Sequence, residues 1–160
     1  ANGVSSGEIL DGTVVAADTA DLLCLSIHSA LYNPTEAGAT DDYVSLNAID
    51  LATGNASFGA AEGAEDTFIV PFAVEANNLR VDVDVAPGVG NDDWTVTLRD
   101  DGASTALTCT VAEAAATCSD AANSPAIAAG SKIDFLVISS GAAADPAAAA
   151  EMNISVCFGQ

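Results

Sequence analysis

The sequence predicts an all-β protein, an antiparallel β-sandwich of jelly-roll type with about eight to ten strands. Three observations predict it. Short segments of alternating polarity recur between turn signals along most of the chain, which is the spacing of a sandwich and not of a helical or βαβ protein. Hydrophobic content is 50% while aromatics are only 5%, so the core is built from small inward residues, two or three from each short strand. Asp101-Gly102 lies between the alternating runs WTVTL and TALTCTV, a hairpin signal because both central positions of a type I′ turn need φ > 0.

A chain of 160 residues can bury one core and is too short to suggest two. Residues 1–20 read as an arm or edge strand, with Thr13, Val14, Val15, Ala16 and Ala17 as a weak strand placed to contact a neighbouring subunit, and residues 21–160 as a single jelly-roll domain. Residues 22–28 form the first strand of that domain. Leu23, Leu25 and Ile27 share one face of it; Cys24, Ser26 and His28 share the other. Asn33-Pro34 marks a connection over 32–41, and residues 43–52 alternate again with Tyr43 and Val44 on opposite faces. A small-residue loop spans 54–65. Pro71 makes the strand expected over 67–74 an edge or bulged one. The cleanest alternation is at 79–85, where Leu79, Val81, Val83 and Val85 face in and Arg80, Asp82 and Asp84 face water. Residues 133–139 read as a buried strand. GAAADPAAAA at 141–150 reads as a loop, since Pro146 interrupts it and only alanine repeats. The last strand, 152–158, points Met152, Ile154, Val156 and Phe158 inward.

Pairing outward from Asp101-Gly102 sets Val96 opposite Leu107 and Trp94 opposite Cys109, with all four facing inward. A further reversal at Glu113-Ala114 then brings Cys109 opposite Cys118 in a second hairpin of the same meander, close enough for a disulfide. Cys24 and Cys157 share the outward phase of the first and last strands. They are expected to bridge those strands if the strands are neighbours. Four cysteines without CxxC spacing and with a single histidine, His28, point to two disulfides in an oxidising compartment and away from zinc.

With 23 acidic residues against 3 basic ones, the net charge is −20. Phosphate-dependent nucleic-acid binding is excluded on that balance. Such acidity suits a hydrated, mutually repelling surface and is compatible with a saline setting. No apolar run is long enough to insert in a membrane, and the opening ANGVSSGEILDG lacks the apolar centre of a signal peptide.

The stretch 77–140 carries NNLRVDVDVAPG, WTVTLRDDG, TALTCTVAEAAATCSD and AAGSKIDFLVISSG. In these motifs it resembles a jelly-roll module of uncharacterised phage and environmental bacterial surface-fibre proteins, similar in outline to tumour-necrosis-factor-like heads. DYVSLNAI at 42–49 extends the likeness loosely. Ser131 stands where that module usually has an acidic residue, and Cys157 is a further departure. The resemblance implies a place in fibres, spikes or surface assemblies and brings no catalytic residue.

The residues themselves offer little chemistry. A Ser-His-Asp triad would have to be built on His28, and no G-x-S-x-G elbow is present. The acidic doublets Asp41-Asp42, Asp92-Asp93 and Asp100-Asp101 sit at turns, where Asp is favoured for backbone reasons. No cofactor is expected. The nearest to a Ca²⁺ set are Asn91-Asp92-Asp93 and the pair Asp82 and Asp84, and the latter lie on one flat face and not in a cage. Tyr32 and Tyr43 are the aromatic candidates for a glycan platform. Asn55-Ala-Ser57 and Asn153-Ile-Ser155 match glycosylation acceptors. The expected function is a non-enzymatic structural subunit of an extracellular or virion assembly (filament, fibre, spike or coat), homo-oligomeric or polymeric. The alternative is a carbohydrate-binding adhesin of the same fold.

Overall fold

Among the described residues, ten strands build two antiparallel sheets that face each other across an apolar core: β1 (Leu23–Tyr32), β2 (Asp41–Val44), β3 (Phe68–Ile69), β4 (Val74–Val83), β5 (Trp94–Asp100), β6 (Ala103–Val111), β7 (Thr117–Asp120), β8 (Ala126–Ile127), β9 (Lys132–Ser139) and β10 (Ala150–Gly159). This computed structural model describes residues 23–32, 41–44, 46, 67–88, 93–140 and 150–159. The arm at 1–20 with Thr13–17, the loop at 54–65, most of the strand expected over 43–52 and the alanine-rich loop at 141–149 lie outside the described residues.

The first sheet runs β1-β10-β4-β7 with β8 also on β4; the second runs β2-β9-β5-β6 with β3 also on β9. Successive strands change sheet at β1–β2, β3–β4, β4–β5, β6–β7, β8–β9 and β9–β10 and stay in one sheet at β2–β3, β5–β6 and β7–β8, and the first and last strands lie side by side. That is a jelly-roll-like order.

Both inner faces follow the period of two. Met152, Ile154, Val156, Leu79, Val81 and Ile27 face Trp94, Val96, Leu98, Phe135, Val137 and Leu107, all buried. Each such side chain contributes about 1.5–3 kcal/mol on burial. β9 is covered on both sides, since Asp134 and Leu136 are buried as well as Ile133, Phe135 and Val137.

Several expectations are corrected. β4 begins at Val74, ahead of the predicted 79, because a bulge joins two half-strands of opposite phase. Val74 and Ala76 face in before it, Leu79, Val81 and Val83 after it, and the register on β10 shifts between Ser155 and Cys157. Asn78 takes the extra residue with φ 53°, a conformation that Asn tolerates better than most residues. Pro71 does not sit within a strand: β3 ends at Ile69, and Pro71 opens a bend before β4. β1 runs on to Tyr32, four residues past its predicted end. Leu23, expected inward, is 61% exposed.

The Asp101-Gly102 turn forms as predicted, with φ 48° and 80°. The register above it does not. Val96 opposes Cys109 and Trp94 opposes Val111, two residues beyond the expected partners, because a bulge intervenes between Thr97 and Arg99. Thr105 stabilises that bulge: its hydroxyl donates to the Leu98 carbonyl (2.8 Å) and accepts from Leu107 N–H (3.2 Å). A shift of two keeps every inward residue inward.

Candidate functional site

The two disulfides hold the two ends of the sandwich in different ways. Cys24 and Cys157 are directly opposed on neighbouring strands β1 and β10 and are bonded. Both belong to the outward phase, and Cys24 is exposed. On the same face His28 Nδ1 donates to Asn153 Oδ1 (2.5 Å), and its Nε2 lies 3.7 Å from Glu151. The only histidine is thus engaged with an amide and an acid of β10.

Cys109 and Cys118 are bonded as well, with Cα atoms 5.7 Å apart. They are not partners in a hairpin. β6 is an edge of the second sheet and β7 an edge of the first, so this disulfide clasps one sheet to the other. The expected meander is replaced by a crossing at 112–116, held by Glu113 N–H on Asp93 Oδ1 (3.0 Å) and Gly88 N–H on the Glu113 carbonyl (3.0 Å). The reversal occurs where it was expected, at Glu113, whose φ is 20°.

Asp120 completes this clasp. Its buried carboxylate accepts from Thr108 N–H across the gap (3.1 Å), from Ala122 and Asn123 N–H (3.0 and 3.2 Å) and from Asn123 Nδ2 (2.8 Å). Burial pushes the carboxyl up, and the four donors outweigh it, so Asp120 is held below the usual carboxylate range. Thr108 N–H, which would otherwise be open on the edge of β6, is satisfied by this side chain.

A third cluster was not anticipated from the sequence. Arg99 on β5 and Asp134 on β9 are register partners, both buried, with Nη1 3.4 Å from Oδ2. The guanidinium also donates to the Gly102 carbonyl and lies 4.7 Å from the Tyr43 ring centroid. A charged residue inside the apolar run KIDFLVIS was the available signal, since a buried acid requires a partner.

The tyrosines do not form one platform. Tyr43 is half-buried with Arg99 over its ring, on the second sheet; Tyr32 pairs with Ala150 in the first, and its side chain lies outside the described residues. No protein-family model matches the chain, and no curated protein sequence matches it.

Of the acids nearest to a Ca²⁺ set, Asp82, Asp84 and Asp93 are engaged with the protein. Asp82 takes Arg80 on both oxygens (2.8 and 2.9 Å), and the hydrogen bond from Arg80 holds its carboxyl below the usual range. Asp84 Oδ1 accepts from Glu151 N–H (2.6 Å). Asp93 is used as described above, and Asn91 and Asp92 lie outside the described residues. Among the described residues no three His, Cys, Asp or Glu side chains form a metal-holding group.

Proposed function

We propose that this protein is a non-enzymatic structural subunit of an extracellular or virion assembly, a filament, fibre, spike or coat. The observation that carries this reading is β1. It is ten residues long, LCLSIHSALY, contains no proline, lysine, arginine or acid, and among the described residues has a neighbour on one side only, β10. Proteins that remain single molecules blunt such edges with charge, proline, bulges or shortness; the one irregularity of β1 lies near its end, between Ser29 and Tyr32, and Leu23 to Ser29 run in regular register on β10. Two disulfides support an oxidising location, and a charge of −20 supports a hydrated surface.

The test uses the full chain with its disulfides intact. Electron microscopy and light scattering are expected to show filaments or discrete oligomers, and a glycan array is expected to show no binding. A monomer at high concentration that binds a sugar would replace this reading with the adhesin one.

A further inference from the structure

We propose that the edge of β1 away from β10, which no strand among the described residues covers, takes residues 13–17 of a second copy of this chain as an added strand. The inference rests on the assembly reading and names the surface through which assembly runs. The edges of the sandwich are not equivalent. β2, β3, β7 and β8 have four, two, four and two residues, too short to template an extended partner. β6 has nine, but Asp120 occupies its Thr108 N–H and the Cys109–Cys118 disulfide crosses at its flank. β1 is left as the one long edge among the described residues without such cover, and it is fixed in place by the Cys24–Cys157 bond.

The side chains of β1 point to an occupant from outside. Leu23 is in phase with Leu25 and Ile27, whose side chains approach the core, yet it is 61% exposed, and Leu25 is only half-buried. A strand laid along β1 would cover them. Twenty-two residues of chain precede Leu23, and in them Thr13-Val14-Val15-Ala16-Ala17 is an uncharged run, with β-branched residues at its first three positions, bounded by Gly12 and Asp18. Five residues span about 17 Å, shorter than the regular part of β1 from Leu23 to Ser29, so the run fits along it.

Charge favours this mode over face-to-face docking. Two chains of −20 repel, and 3 basic residues against 23 acids leave few cross-pairs to offset it. Main-chain hydrogen bonds between uncharged strands need no counter-charge.

The experiment places a photo-cross-linking amino acid at position 15 of the full chain, in assemblies mixed from isotopically light and heavy copies. Cross-links joining position 15 of one isotope to residues 23–32 of the other are expected. A companion variant, Val14→Pro with Val15→Pro, removes two backbone donors outside the core and is expected to weaken self-association at least about tenfold, the equivalent of about 1.4 kcal/mol. Cross-links only within one isotope would mean that the segment folds onto its own β1, and cross-links landing elsewhere or nowhere would mean that β1 is not the acceptor; either overturns the proposal. If the oligomer forms but is unchanged in the proline variant, the assembly reading stands and this inference falls. If the unaltered chain never assembles, both fall.

Discussion

β1 and β6 are the long outer strands of their respective sheets, each carries a disulfide cysteine, and the two are finished in opposite ways. At β6 the bond reaches across to the other sheet, and a buried carboxylate takes a backbone N–H that the ladder leaves over. At β1 the bond reaches only to the neighbour already paired with it, and nothing described lies beyond. A disulfide therefore does not by itself close an edge. What β6 has and β1 lacks among the described residues is an acceptor aimed at its backbone, Asp120 on Thr108 N–H at mid-strand, and what β1 retains is a fixed, uncharged row of donors and acceptors. The first arrangement stabilises the fold; the second is suited to receive a strand.

The largest difference between the two regions is expected in unfolding. Cys24–Cys157 spans 133 residues and Cys109–Cys118 spans 9, so chain-entropy reasoning gives about 5 kcal/mol for the first bond and about 2.5 kcal/mol for the second. Replacing each pair by alanine and measuring urea unfolding is expected to show that order. If loss of Cys109–Cys118 were the more damaging, its role in joining the sheets would outweigh loop length.

Asp120→Ala is the next step down. It leaves Thr108, Ala122 and Asn123 N–H without their acceptor and is expected to cost about 2 kcal/mol, as for hydrogen bonds to a charged group. The sign with pH follows from the lowered carboxyl of Asp120. Its contribution is complete above the unfolded value, near 4, and is lost as pH falls through the folded one. The stability gap between the native chain and Asp120→Ala is thus expected to be constant from pH 7 to 5 and to narrow below about pH 4. A gap that widened on acidification would contradict this assignment.

Smaller still is Thr105→Val, which removes the hydroxyl that bridges the β5–β6 bulge at an expected cost of about 1 kcal/mol. It sharpens the comparison by showing whether the closed edge depends on its register. Last, the melting temperature is expected to rise with NaCl, as screening shortens from about 30 Å at 0.01 M to 3 Å at 1 M and relieves repulsion at −20. A flat profile would show that the repulsion does not strain the fold.

Strand identity was legible because burial on one face imposes a period of two, and β5, β9 and β10 fall close to where alternation put them. Both disulfide pairs followed from phase and reversal. Register did not, because the bulge at Thr97–Arg99 shifts partners by two without changing which residues face in, and so leaves no mark on the pattern. In β4 the opposite happened. The Asn78 bulge inverts the phase between Ala76 and Leu79, and the inversion hid one continuous strand. The sheet assignment of β7 was illegible for a third reason: a tight reversal followed by a disulfide is written the same way for a hairpin and for a crossing between sheets. Arg99, Asp134 and Tyr43 meet through pairings distant in sequence, which no local pattern specifies.

Hydrogen exchange by mass spectrometry on the full chain, assembled and dissociated, tests the contrast between the edges most directly. Assembly is predicted to slow exchange in residues 23–32 at least about tenfold while leaving residues 103–111 unchanged. New protection in 103–111, or none in 23–32, would contradict the account that β1 is the open edge and β6 the closed one.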